Sequence, residues 1–474
     1  MTEKDNKLQR TLKPIHLWAL AVGLVVSGNY FGWSYGYATG GPVGLFVAAI
    51  PVVIMFATFI FCYAEMATMI PSAGGGAAYA RRVLGPVGGY FAGMSSLIEL
   101  LFAPPAIALA VGGYIHNLIP VIPAIPATIV VFIIFVTINF MGMHTSAVFE
   151  LIVTIVALVG LCIYWGAAAP HFSIDNFLRP LAENNGFSGF LQYIPGGWHG
   201  IIASVPFAIW FYLALEGGAM SAEEMINPQK DIPKGFLSGM GTLFIMMCAT
   251  LFLTAGISNY NNVAAVDFPL PEALSAVYGR GGITIVINIF GLFGLIASLN
   301  GIIAASSRQL FALARTGYLP KILARVNQKR HTPTAALITA GVVGIIAATT
   351  GLTNVVISVS AFGLACLYFI SLISFLVLRV KEPDMYRPFK APCGMAAGII
   401  SLIICIFCIV CMVIGASAIS LPESSILYMI FENVSINPIV ATIIVYIIAF
   451  LWYFGIGRKN VCSFEEEFER LKDI

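Results

Sequence analysis

Four carboxylates stand inside long apolar stretches of this 474-residue chain: Glu65, Glu99, Glu150 and Glu216. No Lys or Arg interrupts those stretches at depth. A charged side chain at the centre of a membrane helix costs at least about 2.5–3.5 kcal/mol. A carboxylate placed there without a basic partner holds a proton, reaches nearby water, or receives a cation. Glu99 falls about twelve residues into its apolar run, near mid-bilayer at a rise of 1.5 Å per residue. Phe102 follows three residues along, and Pro104-Pro105 leaves carbonyls of the preceding turn without donors. Trp210 lies six residues before Glu216, where it can cap the interruption around that residue from the outer side. An ammonium held between a carboxylate, free carbonyls and an indole face is well served. The plainer reading of Trp210 is an interfacial belt residue.

The elements that must position these groups are membrane helices. Hydrophobic residues make up 59% of the chain and charged ones 10%, with mean hydropathy +0.93. Soluble domains carry about a quarter charged residues, so a water-exposed globule is excluded, as are disorder and a disulfide scaffold. A formal charge of +2 gives no reason to expect a nucleic-acid partner. The nine cysteines fall mostly inside apolar runs, and the Cys405, Cys408, Cys411 spacing reads as helix packing. No metal and no cofactor are expected. The polar start followed by a long apolar run predicts a retained first span rather than a cleaved signal.

Apolar runs and their punctuation predict twelve spans, near 16–38, 43–69, 87–117, 123–141, 146–169, 200–226, 236–258, 281–311, 334–350, 353–378, 394–418 and 436–456. With the N-terminus inside, 22 of the 24 Lys and Arg fall on the cytoplasmic side, and only Arg179 and Arg280 fall outside. We therefore expect a multi-pass protein of the plasma or inner cell membrane with both termini cytoplasmic. Glu65 and Glu150 then sit near the cytoplasmic ends of their spans. We read both as structural, bonding neighbouring helix ends or snorkelling to water, with a proton-relay or gating role as the alternative.

Two spans are interrupted, the first by Val26-Ser27-Gly28-Asn29-Tyr30-Phe31-Gly32 and the sixth by Tyr212-Leu213-Ala214-Leu215-Glu216-Gly217-Gly218. Discontinuous helices at matching places in two halves of a chain point to a transporter site. Glycine-rich packing faces are the structural alternative; the recurrence, with an acid inside the second break, favours a site.

Three motifs carry a resemblance. The stretch Ala222–Lys234 (AEEMINPQKDIPK), the stretch Ser307–Pro320 (SRQLFALARTGYLP), and Glu65-Met66-Ala67 leading to Pro71-Ser72-Ala73-Gly74-Gly75 are similar to signatures of amino acid–polyamine–organocation (APC) transporters. Leu101–Ala108 (LFAPPAIA), Phe149-Glu150-Leu151 and Leu215-Glu216-Gly217 most resemble ethanolamine permeases. The resemblance implies an all-α integral membrane protein with a LeuT-like fold and discontinuous helices 1 and 6. It implies inverted repeats over 16–169 and 200–378, an extracellular loop over 170–199 and appended spans over 394–456. The tails 1–15 and 457–474 are then cytoplasmic.

The resemblance further implies substrate lodged against Ser27, Gly28, Asn29 and Tyr30 in span one and against Leu213, Ala214 and Glu216 in span six. Glu99 and Phe102 of span three, and Ser298 and Ile302 of span eight, flank it. The Ser27-Gly28 turn offers amides to a carboxylate in amino acid carriers, whereas Asn29, usually apolar there, suits a neutral hydroxyl. Span five lacks the Lys by which some proton-coupled relatives replace a sodium ion, which leaves the energy source open; a coupling proton is one candidate.

These readings lead to a secondary transporter for a small organic cation, with ethanolamine as the expected substrate. An amino acid or polyamine carrier, by proton symport or exchange, is the alternative. No HExxH, GxSxG or TVGYG sequence suggests an enzyme or a channel, and no GxxxxGK[ST] loop suggests a nucleotide-driven pump.

Overall fold

Two Gly-Pro steps turn the chain through corners that hydropathy alone renders as loops. Gly41 (φ 66°) precedes Pro42, and Gly85 (φ 75°) precedes Pro86. Glycine takes the left-handed conformation without a Cβ penalty, and proline opens the next helix, where its missing N–H has no ladder partner to lose. Each corner therefore joins two helices with no connecting loop. The computed structural model describes residues 12–70, 72, 74–141, 147–178, 188–327, 332–420 and 435–461.

The helices in chain order are α1 (Pro14–Val25), α2 (Ser27–Tyr30), α3 (Ser34–Met69, with the Gly41 corner), α4 (Gly75–Leu118, with the Gly85 corner), α5 (Ala124–Phe140), α6 (Ala147–Ala168), α7 (Ile174–Phe177) and α8 (Trp198–Ile209). They continue as α9 (Pro228–Ile257), α10 (Pro269–Tyr278), α11 (Ile283–Arg315), α12 (Thr334–Thr349), α13 (Thr353–Lys381), α14 (Met395–Gly415) and α15 (Pro438–Gly455). Two-residue strands, β1 (Ile419–Ser420) and β2 (Ser435–Ile436), pair antiparallel between α14 and α15. Among the described residues nine helical segments are long and apolar enough to cross a membrane, and α1, α5 and α12 are shorter apolar helices.

The core forms where α4 packs along α13 and α11, α3 along α8 and α9, and α1 against α6, α9 and α11. At the periphery α14 and α15 turn Ile403, Phe407, Ile447 and Leu451 outward, all exposed. Such apolar surface suits lipid, and helices suit a bilayer because they satisfy their own backbone groups.

Several expected boundaries shift. The first span is α1, α2 and the start of α3, and the 43–69 span continues α3 past its corner. The third begins twelve residues earlier, at Gly75, because Gly85 bends the helix rather than ending it. The 200–226 span stops being α-helical after Ile209, and α9 begins at Pro228 rather than near 236. Helix α10 was not expected at all. Within 170–199, Asp175 lies on α7, while Arg179 and Glu183 lie outside the described residues, as does the tail from 462 onward.

At the Lys/Arg-rich end, Glu65 of α3 is tethered to the far end of α13. The Arg379 Nε donates to Glu65 Oε1 at 3.0 Å, its other guanidinium nitrogen donates to Oε2, and Arg387 Nε lies 3.2 Å from Oε1. The Ala391 amide donates to Oε2 at 2.7 Å. Glu65 is 1% exposed, so its acceptor capacity is spent on these partners. A half-exposed pair, Arg82 with Glu382 at 2.8 Å, lies nearby. Breaking a buried pair strands the remaining charge and costs about 3–5 kcal/mol, against roughly 0–1 kcal/mol for an exposed one. Glu65→Gln should therefore lower the melting temperature of detergent-solubilised protein well beyond Glu382→Gln; equal shifts would contradict the tether.

Candidate functional site

Helix α8 gives way at Trp210–Tyr212 to a single 3-10 turn, then to Leu213 (φ −60°, ψ 133°) and Ala214 (φ 73°, ψ 12°). Left-handed backbone costs a residue bearing a Cβ about 1–2 kcal/mol, and such strain clusters at functional sites. The chain resumes as a ten-residue 3-10 stretch, Leu215–Glu224, although such runs rarely exceed about 3–4 residues. The break thus precedes the glycines that suggested it.

The first break differs in position. Val26 is helical (φ −56°, ψ −31°), so the backbone winds on through Ser27–Tyr30 and opens only at Phe31 (φ −159°, ψ 175°) and Gly32 (φ 92°). The two breaks meet. A Cβ on Gly28 would lie 2.6 Å from the Trp210 carbonyl oxygen, and one on Gly32 would lie 2.5 Å from the Trp210 indole. Trp210 also meets Phe31 edge-on at 5.3 Å. It is buried, and its Nε1 has no hydrogen-bond partner.

The carboxyl groups of Glu99 and Glu216 meet, the second of them on the stretch that follows the α8 break. Glu99 on α4 is fully buried, interacts directly with Glu216 and lies against the Ala214 amide, yet neither of its oxygens has a hydrogen bond of normal geometry. Glu216, 5% exposed, accepts a 2.8 Å hydrogen bond from the Tyr368 hydroxyl. Helix α13 also fixes α4 and α3: Ser360 Oγ donates to the Glu99 carbonyl at 2.9 Å, and the Tyr368 ring stacks on Phe59 of α3 at 3.5 Å. Among the described residues no Lys, Arg or His pairs with either carboxylate.

The remaining predicted residues divide. Asn29 is fully buried, and neither Oδ1 nor Nδ2 has a partner. The Ser27 amide donates to Ser298 Oγ at 3.4 Å, and Ser298 Oγ donates to the Gly23 carbonyl at 2.7 Å. Ser298 thus stitches α11 to α1 and occupies the amide expected for a ligand carboxylate. Tyr30 donates to the Ala157 carbonyl at 2.6 Å and its carbonyl accepts from Tyr114, so it anchors α2 rather than facing the carboxylates. Leu213 is buried in the break, and Ile302 is buried on α11 without a contact that ties it to the pair. Phe102 is half-buried on a flank of α4. Glu150 is buried on α6 against Gly23 of α1, with Oε1 unpaired, and stands apart from the pair. On the opposite side from the basic end, Tyr35 donates to Asp267 Oδ1 at 2.7 Å and Thr353 donates to Oδ2 at 3.4 Å, drawing the 258–268 segment over the start of α13.

Sequence reading missed Tyr368 and α13. A tyrosine in an apolar run reads as packing, and only the folded contact shows its hydroxyl spent on Glu216.

Comparison with known proteins shows the family. The amino acid permease family matches residues 12–436. The chain is therefore a multi-pass membrane transporter and not an enzyme: it belongs to the amino acid permease family, within the APC superfamily. It is similar to the methylthioribose transporter of Bacillus subtilis (strain 168), at 25% identity over 85% of this chain and 88% of that one. It is also similar to the branched-chain amino acid permease BcaP of the same organism, at 22% over 86% and 89%. The lysine-specific permease LysP of Lactococcus lactis subsp. cremoris (strain MG1363) is 25% identical over 76% of this chain and 73% of its own.

Tyr368→Phe removes one hydroxyl donor to Glu216 and leaves the stacked ring. A hydrogen bond to a charged group is worth about 1.5–3 kcal/mol, so the ligand that binds this site should lose or gain about tenfold or more in affinity while expression and melting stay near wild type. Unchanged affinity would remove Tyr368 from the site.

Proposed function

We propose that this permease is a secondary transporter for small organic ammonium ions, with ethanolamine as the expected substrate, working by alternating access. The observation that carries the reading is the Glu99–Glu216 pair, buried at the crossing of two interrupted helices without a basic partner among the described residues. A protonated amine supplies the missing positive charge and up to three donors. Trp210, packed on the first break with its indole N–H unpartnered, would offer a ring face suited to a cation. Asn29, whose amide is buried and unsatisfied, offers both a donor and an acceptor to a hydroxyl.

The architecture proposed with it has twelve crossings in two inverted five-span units, with α14 and α15 appended. Helices of 16–17 residues such as α5 and α12 reach roughly 25 Å at 1.5 Å per residue. The basic end, where Glu65 is tethered, is the cytoplasmic one.

An amino acid substrate is the second reading. It is favoured by relatives named for branched-chain amino acids and lysine. The engagement of the Ser27 amide by Ser298 favours the amine, because it removes one donor from a ligand carboxylate.

Purified protein in liposomes should take up labelled ethanolamine saturably without ATP. Glu216→Gln should weaken substrate binding roughly 10- to 100-fold, the worth of one charge-assisted bond, with the fold retained by its melting curve. Undiminished uptake by this variant would remove Glu216 from the site. Displacement of label by alanine or arginine ahead of ethanolamine would decide for the second reading.

A further inference from the structure

We propose that the Glu99–Glu216 pair gives up one proton for each ammonium it binds, so that the permease exchanges protons for organic cations at a single site. The inference rests on the substrate class proposed above and adds the coupling. It starts from charge. Both carboxyl groups are buried and interact with each other; Glu216 accepts from the Tyr368 hydroxyl, and neither oxygen of Glu99 has a hydrogen-bond partner. Two unit charges about 4 Å apart repel by about 4 kcal/mol even at an effective dielectric near 20.

Among the described residues the surroundings supply no counter-charge. The titratable groups that face the pair are phenols: Tyr63 on α3, Tyr368 on α13 and Tyr446 on α15. Helices α1, α9 and α11 bring no charged group into contact with either carboxylate among the described residues. The compensating charge has to arrive from outside the fold. Before substrate binds, two carboxylates with one shared proton carry a net charge of −1. After it binds, two carboxylates with one ammonium carry the same −1. On loading, the carboxyl O–H bond breaks, its proton passes to water, and N–H donors of the ammonium take its place. Nothing is oxidised or reduced. Equal charge in both forms lets either one reorient at a similar electrostatic cost, whereas the bare dianion is penalised. One proton therefore crosses against each ammonium.

The sign follows from mass action. A reaction that releases a proton is favoured as pH rises, so apparent affinity should increase about tenfold per pH unit while the empty pair holds its proton.

Isothermal titration of full-length protein in detergent with ethanolamine, at pH 7 in phosphate and in MOPS, counts protons from the dependence of heat on buffer ionisation. An aliphatic ammonium with a pKa near that of lysine, about 10.4, stays protonated at this pH, so a released proton comes from the protein. Close to one proton per bound ethanolamine is expected. Glu99→Gln should still bind, roughly tenfold more weakly, with the count near zero. Glu150→Gln, which alters the other unpaired buried carboxylate, should leave the count at one. Binding by wild type with no proton released overturns the coupling and leaves the substrate class standing. A count lost in Glu150→Gln but kept in Glu99→Gln also overturns it. No binding of ethanolamine at all overturns the substrate class, and the coupling with it. Should Glu99→Gln fail to fold, the wild-type count decides alone.

Discussion

Two buried carboxyl groups that face each other, with no basic partner among the described residues, are the constraint around which the site is arranged. Glu99 and Glu216 lie on segments far apart in sequence, and the fold brings them together at the one level where α1 and α8 both stop being regular helices. Interrupting a helix in a membrane leaves backbone groups without partners. Here the cost is met locally: Ser298 bonds the α1 backbone, Tyr114 bonds the Tyr30 carbonyl, and a 3-10 stretch carries the chain on from Ala214. What stays unsatisfied is concentrated on side chains, namely both oxygens of Glu99, both polar atoms of Asn29 and the indole N–H of Trp210. Buried polar atoms are overwhelmingly paired in folded proteins, so these unpaired ones are the groups that the proposed substrate would satisfy.

The contrast with Glu65 shows how environment divides like residues. Both Glu65 and Glu99 are buried glutamates in membrane-spanning helices. Glu65 faces two guanidinium groups and an amide, and it joins α3 to α13 at the basic end. Glu99 faces another carboxylate. In the first arrangement every acceptor is used, whereas in the second both oxygens of Glu99 stay unpaired. Glu150 is a third case: it faces a glycine surface on α1 and touches neither cation nor carboxylate among the described residues.

Much of this was legible in the residues. The apolar runs located the helices, the scarcity of charge within them exposed the acids, and the breaks in the first and sixth spans were placed within a few residues. What escaped has physical reasons. Hydropathy is blind to a corner made by a single left-handed glycine, so the joins at Gly41 and Gly85 read as gaps. Glycine content pointed to Gly217 and Gly218, while the backbone breaks at Ala214 through strain that composition does not record. The part played by α13 was hidden because Ser360 and Tyr368 act through long-range contacts, and a hydroxyl in an apolar run gives no hint of its partner. Family resemblance supplied the superfamily and marked Tyr30 and Ser298 as substrate-facing; that each hydroxyl also bonds a helix backbone carbonyl is visible only in the folded chain.

The most direct measurement is the position of the amine nitrogen in a structure of the permease with ethanolamine bound. The account predicts that nitrogen within hydrogen-bond or ion-pair reach, about 2.7–4 Å, of a carboxylate oxygen of Glu99 or Glu216, beneath Trp210. A nitrogen seated elsewhere, with the two carboxylates still facing each other and untouched by ligand, would contradict it.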